Sequence, residues 1–165
     1  MINDYKESFE QMRVAGSLAS NTLDEITRYI EPGITTAKID KICYEYIRDH
    51  GGYSAPLFYR GFPKSCCTSV NHVICHGIPS DKYLNDGDII NIDVTAIIND
   101  WHGDTSRMFC VGNVSVKSKN LISATYDSMM KAISIIKNGV CLGDIGEAIQ
   151  THVEKKGFSV VRDFC

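Results

Sequence analysis

Asp93 and Asp104 stand in one run of the chain that reads as two strands, Asp88–Ile98 and Trp101–Phe109, joined at Asn99-Asp100. Asn and Asp tolerate the positive φ angles of a two-residue hairpin turn. A turn there sets Asp93 opposite Ser106. Alternation then brings Asp104, Ser106 and Asp93 to one face. Diagonal neighbours on such a face lie roughly 7–8 Å apart at the backbone, within reach of a shared ion. Two carboxylates in an otherwise apolar strand pair are costly unless a positive charge sits between them, and a divalent cation bound through oxygen meets that need. The alternative is a pair of solvent-facing aspartates on an edge hairpin; a three-residue turn would put them on opposite faces. The apolar run 89–98 favours a buried pair.

A second group of candidates precedes the hairpin. In Asn71-His72-Val73-Ile74-Cys75-His76-Gly77-Ile78-Pro79, His76 meets Gly-Ile-Pro at a strand end, where backbone approaches a ligand closely. An imidazole there can donate to a substrate carbonyl or stabilise developing charge. The alternative is a histidine hydrogen-bonded within its own loop, the reading that also fits His50, His72 and His152. Strand alternation places His102 on the carboxylate face as a second candidate; the alternative is a histidine that only supports the carboxylates by hydrogen bonding.

Composition narrows the possibilities. With 165 residues and 44% hydrophobic content, the chain is long enough for one compact domain with a real core. Net charge is −3, from 17 Lys+Arg and 20 Asp+Glu, with no basic run, which argues against nucleic acid as a partner. No apolar stretch reaches membrane-spanning length, and the opening Met-Ile-Asn-Asp-Tyr-Lys-Glu is unlike a secretory signal. The seven cysteines (43, 66, 67, 75, 110, 141 and 165) form an odd set without Cys-x-x-Cys spacing. That pattern fits neither a disulfide framework nor a structural zinc site, and suggests mostly buried thiols in a reducing cytoplasm.

The elements that position these residues are legible from periodicity. Phe9, Met12, Ala15, Ala19, Leu23, Ile26 and Ile30 give helical spacing over 4–30, stopped by Pro32-Gly33. Thr35 or Thr36 caps a second helix carrying Ile39, Ile42, Cys43, Tyr46 and Ile47 and ended by Gly51-Gly52. Residues 53–80 read as short strands and loops. After the hairpin at 86–111, the link 112–118 leads to helices over 119–137 and 142–156, and Phe158–Val161 reads as the start of a strand. A shift of 106 residues superimposes Gly33, Ile34, Ile39, Cys43, Ile47 and Gly51 on Gly139, Val140, Ile145, Ile149, Val153 and Gly157. This suggests a duplicated unit, about 1–112 and, in part, 113–165. Two capped amphipathic helices also look alike without duplication. In this register Cys165 falls on Tyr59, short of any counterpart of the hairpin.

Cys75–Pro79, Asp86–Thr95 and His102–Ser106, with Met12–Gly16 and Gly61–Ser65, together resemble the type I methionine aminopeptidases. The resemblance runs from the first helix to the last residue. It implies an α+β pita-bread fold: a curved antiparallel sheet flanked by helices, here incomplete in its second pseudo-repeat. It implies metal ligation by Asp93 and Asp104, two divalent ions (cobalt, manganese, iron or zinc) and an activated hydroxide as nucleophile. It also implies that His76 contacts substrate near the scissile amide and that Tyr59, Phe62 and Cys67 line the pocket for a methionine side chain. Pro56 and Phe62 depart from the cysteine and tyrosine usual at their positions, and both keep the pocket apolar.

The implied substrate is the N-terminal methionine of nascent polypeptides, with the ribosome as a partner and neither nucleic acid nor membrane involved. The family's other ligands, one histidine and two glutamates, lie beyond the segment matching Val161–Cys165. The alternative to an active enzyme is a catalytically dead fragment or a non-catalytic pita-bread binding module. An aminopeptidase P or creatinase relative shares the acidic pattern, but Cys-His-Gly-Ile-Pro argues against it.

Overall fold

The structure is a computed structural model that describes residues 5–163. Met1–Asp4, Phe164 and Cys165, on which parts of the sequence reading fall, lie outside the described residues. The chain divides into two compact units, Met1–Val114 and Ser115–Cys165.

In the first unit, helix α1 (Tyr5–Thr27) and helix α2 (Thr36–Asp49) precede strands β1 (Tyr53–Ser54), β2 (Cys67–Val70), β3 (Ile89–Ile98) and β4 (Trp101–Cys110). All strand pairs are antiparallel. β3 is the hub: β4 pairs along one edge, and β1 and β2 share the other. Asn99 and Asp100 adopt φ 52° and 65°, the turn anticipated from their chemistry, and Asp93 faces Ser106 in the register. α2 begins where expected, because the Thr35 hydroxyl accepts a 3.1 Å bond from the Lys38 backbone N–H.

Alternation along β3 divides the sheet by face. Ile90, Ile92, Val94 and Ala96 are fully buried against Leu18, Ala19, Leu23 and Ile26 of α1 and Ile39, Cys43 and Ile47 of α2. Asn91, Asp93 and Thr95 occupy the other face. The helix side is held unusually close at one point. A Cβ on Gly103 would run into the Ala15 carbonyl and the Gly16 backbone nitrogen, so α1 sits directly on β4. Asn99 donates to Gln11 (3.2 Å) and Arg107 pairs with Asp24 (2.8 Å), fixing the same helix to the hairpin.

The second unit contains helix α3 (Val116–Ser134) and helix α4 (Leu142–Lys155). Lys131 Nζ lies 2.7 Å from His152 Nδ1, joining the two helices. α4 spans the same 14 residues as α2 displaced by the sequence shift, and Gly33 and Gly139 take similar φ values of 97° and 92°.

Several expectations need correction. Phe9 and Met12 are exposed, because only the second half of α1, from Ala15 on, lies on the sheet. α3 starts at Val116, capped by Ser115, rather than at 119. Phe158–Val161 is irregular: among the described residues no segment supplies a ladder partner. Three of the six described cysteines, Cys43, Cys66 and Cys67, are buried, while Cys110 and Cys141 are exposed.

Gly103→Ala is expected to lower the unfolding free energy by about 2–3 kcal/mol, since the added methyl meets backbone rather than a flexible side chain. Denaturant unfolding of the two proteins measures it; an unchanged midpoint contradicts the close approach.

Candidate active site

The exposed face of β3 and β4 forms the floor of a cavity of about 810 Å³. Asp93, Thr95, His102 and Asp104 line it, with Cys67 from β2 directly opposite Asp93. The segment between β1 and β2 supplies one wall through Pro56, Tyr59, Arg60, Phe62 and Pro63, and His76 and Ile78 supply another. Every candidate named from the sequence (Asp93, Asp104, His76, Tyr59, Phe62 and Cys67) lines this one cavity. Arg60 and Thr95 were not singled out from sequence. Thr95 was readable from alternation, since it stands opposite Asp104 in the register.

The two carboxylates are diagonal neighbours on one face of the hairpin, Asp93 opposite Ser106 and Asp104 opposite Thr95. Burial pushes the Asp93 carboxyl above its ordinary range; the Asp104 charge and a hydrogen bond with Asp104 raise it further, and nearby His76 opposes the rise. Thr95 Oγ1 donates to Asp104 Oδ1 at 3.1 Å. The expectation of a buried pair holds only in part: Asp93 is half-buried and Asp104 exposed, because their face opens onto the cavity. Among the described residues no group of three or more His, Cys, Asp or Glu side chains is gathered to hold a metal ion. Two carboxylates on one strand face nonetheless suit a hard divalent cation as a partial donor set.

Backbone geometry aims the other groups. His76 adopts φ 55°, a left-handed conformation unusual for a side chain with a Cβ. Gly77 follows it because the Thr68 carbonyl occupies the space a Cβ would need. Thr68 N–H donates to the Gly77 carbonyl (2.8 Å), and Ser69 Oγ accepts from Gly77 N–H (3.2 Å), so the histidine is presented from a segment stitched to β2. Asn71 ties the start of that segment to β3, donating to Asp88 (2.8 Å) and accepting from Ile89 N–H (3.0 Å). By contrast, His50 lies away from the cavity, bonded to the Tyr46 carbonyl at 2.8 Å.

Burial, with the charge of Asp93 next, pushes the Cys67 thiol up to about 11. It is therefore a neutral, polarizable wall at neutral pH rather than a thiolate nucleophile.

The profile of metallopeptidase family M24 matches residues 10–165. The chain belongs to family M24. It is similar to the methionine aminopeptidase of Rickettsia prowazekii, at 55% identity over 159 residues, and to that of Escherichia coli, at 50% over 161 residues. Each alignment covers 96% of this chain and 61% of the relative, so the chain spans about three-fifths of the curated relatives' length. The crystal structure of the Rickettsia prowazekii methionine aminopeptidase superposes with a TM-score of 0.95, covering 96% of this chain and 64% of that one. A methionine aminopeptidase from Thermotoga maritima superposes at 0.91 with 34% identity, covering 94% of this chain and 63% of that one. The M24 chain thus has the α+β pita-bread fold of these neighbours, with an open antiparallel sheet, and it is incomplete relative to them. An X-Pro aminopeptidase from Thermotoga maritima, 22% identical at a TM-score of 0.78, shares the fold alone.

A carboxyl whose folded pKa is raised penalises the fold while ionised. The penalty grows as pH rises through the carboxylate range and vanishes below it. Asp93→Asn is therefore expected to stabilise the metal-free chain at pH 7 by less than about 1 kcal/mol, given solvent screening on an open face. It should also flatten the stability profile at and just above the usual carboxylate range. Thermal unfolding across about pH 4–7.5 measures both; destabilisation at pH 7 contradicts the account of a carboxylate raised by burial and a like charge.

Proposed function

We propose that this protein is a methionine aminopeptidase that removes the N-terminal methionine from nascent polypeptides in the cytoplasm, acting on chains as they leave the ribosome. The observation that carries this reading is the single cavity joining a carboxylate pair, a strained histidine and an apolar wall.

Asp93 and Asp104 would hold two divalent metal ions together with further ligands that the described residues do not supply. When bound, such ions supply Lewis-acid activation of water and of the scissile carbonyl. The chain's own residues do the rest. Tyr59, Phe62 and Cys67 receive the thioether side chain, with Pro56 and Pro63 closing the wall. A protonated Cys67 suits this task, since a thiolate beside Asp93 would add a third negative charge to the floor. His76, held near Asp93, donates a hydrogen bond to the substrate amide. A free α-amino group is attracted to the acidic floor, which favours exopeptidase over endopeptidase action. Full ligation would also offset both the burial and the Asp104 charge that lift Asp93.

The test is methionine release from a Met-Ala-Ser peptide by the product of the complete reading frame, with cobalt, manganese, iron or zinc added in turn. Release is expected with at least one metal, and Asp104→Ala is expected to reduce kcat/KM by more than about 100-fold. The 165-residue chain alone is expected to give little or no release, because two carboxylates under-ligand a dinuclear centre. A flat baseline from the complete product with every metal contradicts the proposal and favours a non-catalytic binding module.

A further inference from the structure

Asp40 lies on α2, outside the cavity, yet its carboxylate organises the segment that enters β2. Its Oδ1 accepts from the Ser65 backbone N–H (2.7 Å), the Ser65 hydroxyl (2.6 Å) and the Cys66 backbone N–H (3.2 Å). Ser65 Oγ also lies 3.1 Å from the Asp40 carbonyl. Lys64 Nζ stands 4.0 Å from Oδ2. The grip is buried: Ser65 is 2% exposed and Cys66 fully covered. One turn along α2, Cys43 packs against Cys66 and shares a hydrogen bond with its thiol.

The position of this grip in the chain gives it a consequence at the cavity. Phe62 and Pro63 precede Ser65, and Cys67 follows Cys66; all three line the cavity. β2 is only four residues long, and its first residue, Cys67, is the one that faces Asp93. The two backbone N–H groups just before it are satisfied by Asp40 rather than by a neighbouring strand, so the carboxylate sets where β2 begins. A shift at Ser65-Cys66 moves both sides of the apolar wall together.

We infer that Asp40 is the positioning residue of the apolar wall, a part-buried acceptor that locks Phe62, Pro63 and Cys67 in place from outside the cavity. Asp40 touches none of the reacting groups, so its loss acts on recognition of the first side chain rather than on the chemical step. The kinetic arm of the test rests on the proposed peptidase activity; the thiol arm does not.

Asp40→Ala, Asp40→Asn and Ser65→Ala are compared with the parent protein at a temperature where each remains folded. Labelling of Cys67 by iodoacetamide, read by peptide mass spectrometry, is expected to accelerate about 10-fold in Asp40→Ala. In Asp40→Asn it stays within about 3-fold, because the amide oxygen still accepts the same bonds. Ser65→Ala falls between them. In the complete protein, KM for Met-Ala-Ser is expected to rise about 10-fold in Asp40→Ala, with kcat within about 3-fold of the parent and recovery in Asp40→Asn. Unchanged Cys67 labelling in Asp40→Ala overturns the inference. So does a fall in kcat at constant KM. If the parent releases no methionine while the labelling series follows the expected order, the peptidase reading fails and the positioning role stands.

Discussion

The structure turns on two carboxylates held on one face of a hairpin. Burial lifts the Asp93 carboxyl, and repulsion from Asp104 lifts it further. An isolated hairpin would relieve this by splaying or slipping register. Here it cannot, because a one-residue slip would turn Ile90, Ile92 and Val94 out of the core and the aspartates into it. Hydrophobic burial on one side of β3 thus enforces an unfavourable charge arrangement on the other. Such local conflict between stability and placement is a mark of a working site.

The supporting devices are backbone contacts more than side-chain packing. Gly103 lets α1 rest on β4, Gly77 lets the His76 segment lie on β2, and the Asn99-Asp100 turn closes the hairpin without a loop to flex. Asp40 and Asn71 accept or donate where short strands leave backbone groups without ladder partners. The edge of β3 that carries β1 and β2 has strands of only two and four residues and little ladder of its own, so these polar ties carry the alignment of the cavity walls there.

Much of this was readable before the fold was seen. Turn chemistry at Asn99-Asp100 fixed the register, and the register fixed the shared face of the two aspartates. Thr35 announced the start of α2. What escaped was set by distant partners. Phe9 and Met12 keep perfect helical spacing, but periodicity does not say how far along a helix its neighbour extends. Phe158–Val161 has strand-like composition, but a strand exists only with a partner. The exposure of Asp104 depends on which walls surround the floor, and the Asp40–Ser65 grip joins residues 25 positions apart that form no motif. Gly103 belongs to the run His102–Ser106, yet its reason, the Ala15 carbonyl against it, is purely tertiary. The pocket residues Tyr59, Phe62 and Cys67 came from family resemblance rather than from any periodic pattern.

The central claim is that Asp93 and Asp104 reach one cation from adjacent strands. Titrating the 15N-labelled chain with Mn2+ and following paramagnetic broadening of its backbone amides tests it most directly. The account predicts broadening centred together on Asp93, Thr95, Asp104 and Ser106, abolished at both strands by either Asp93→Asn or Asp104→Asn. Broadening centred on surface carboxylates elsewhere, or at one strand independently of the other, would contradict it.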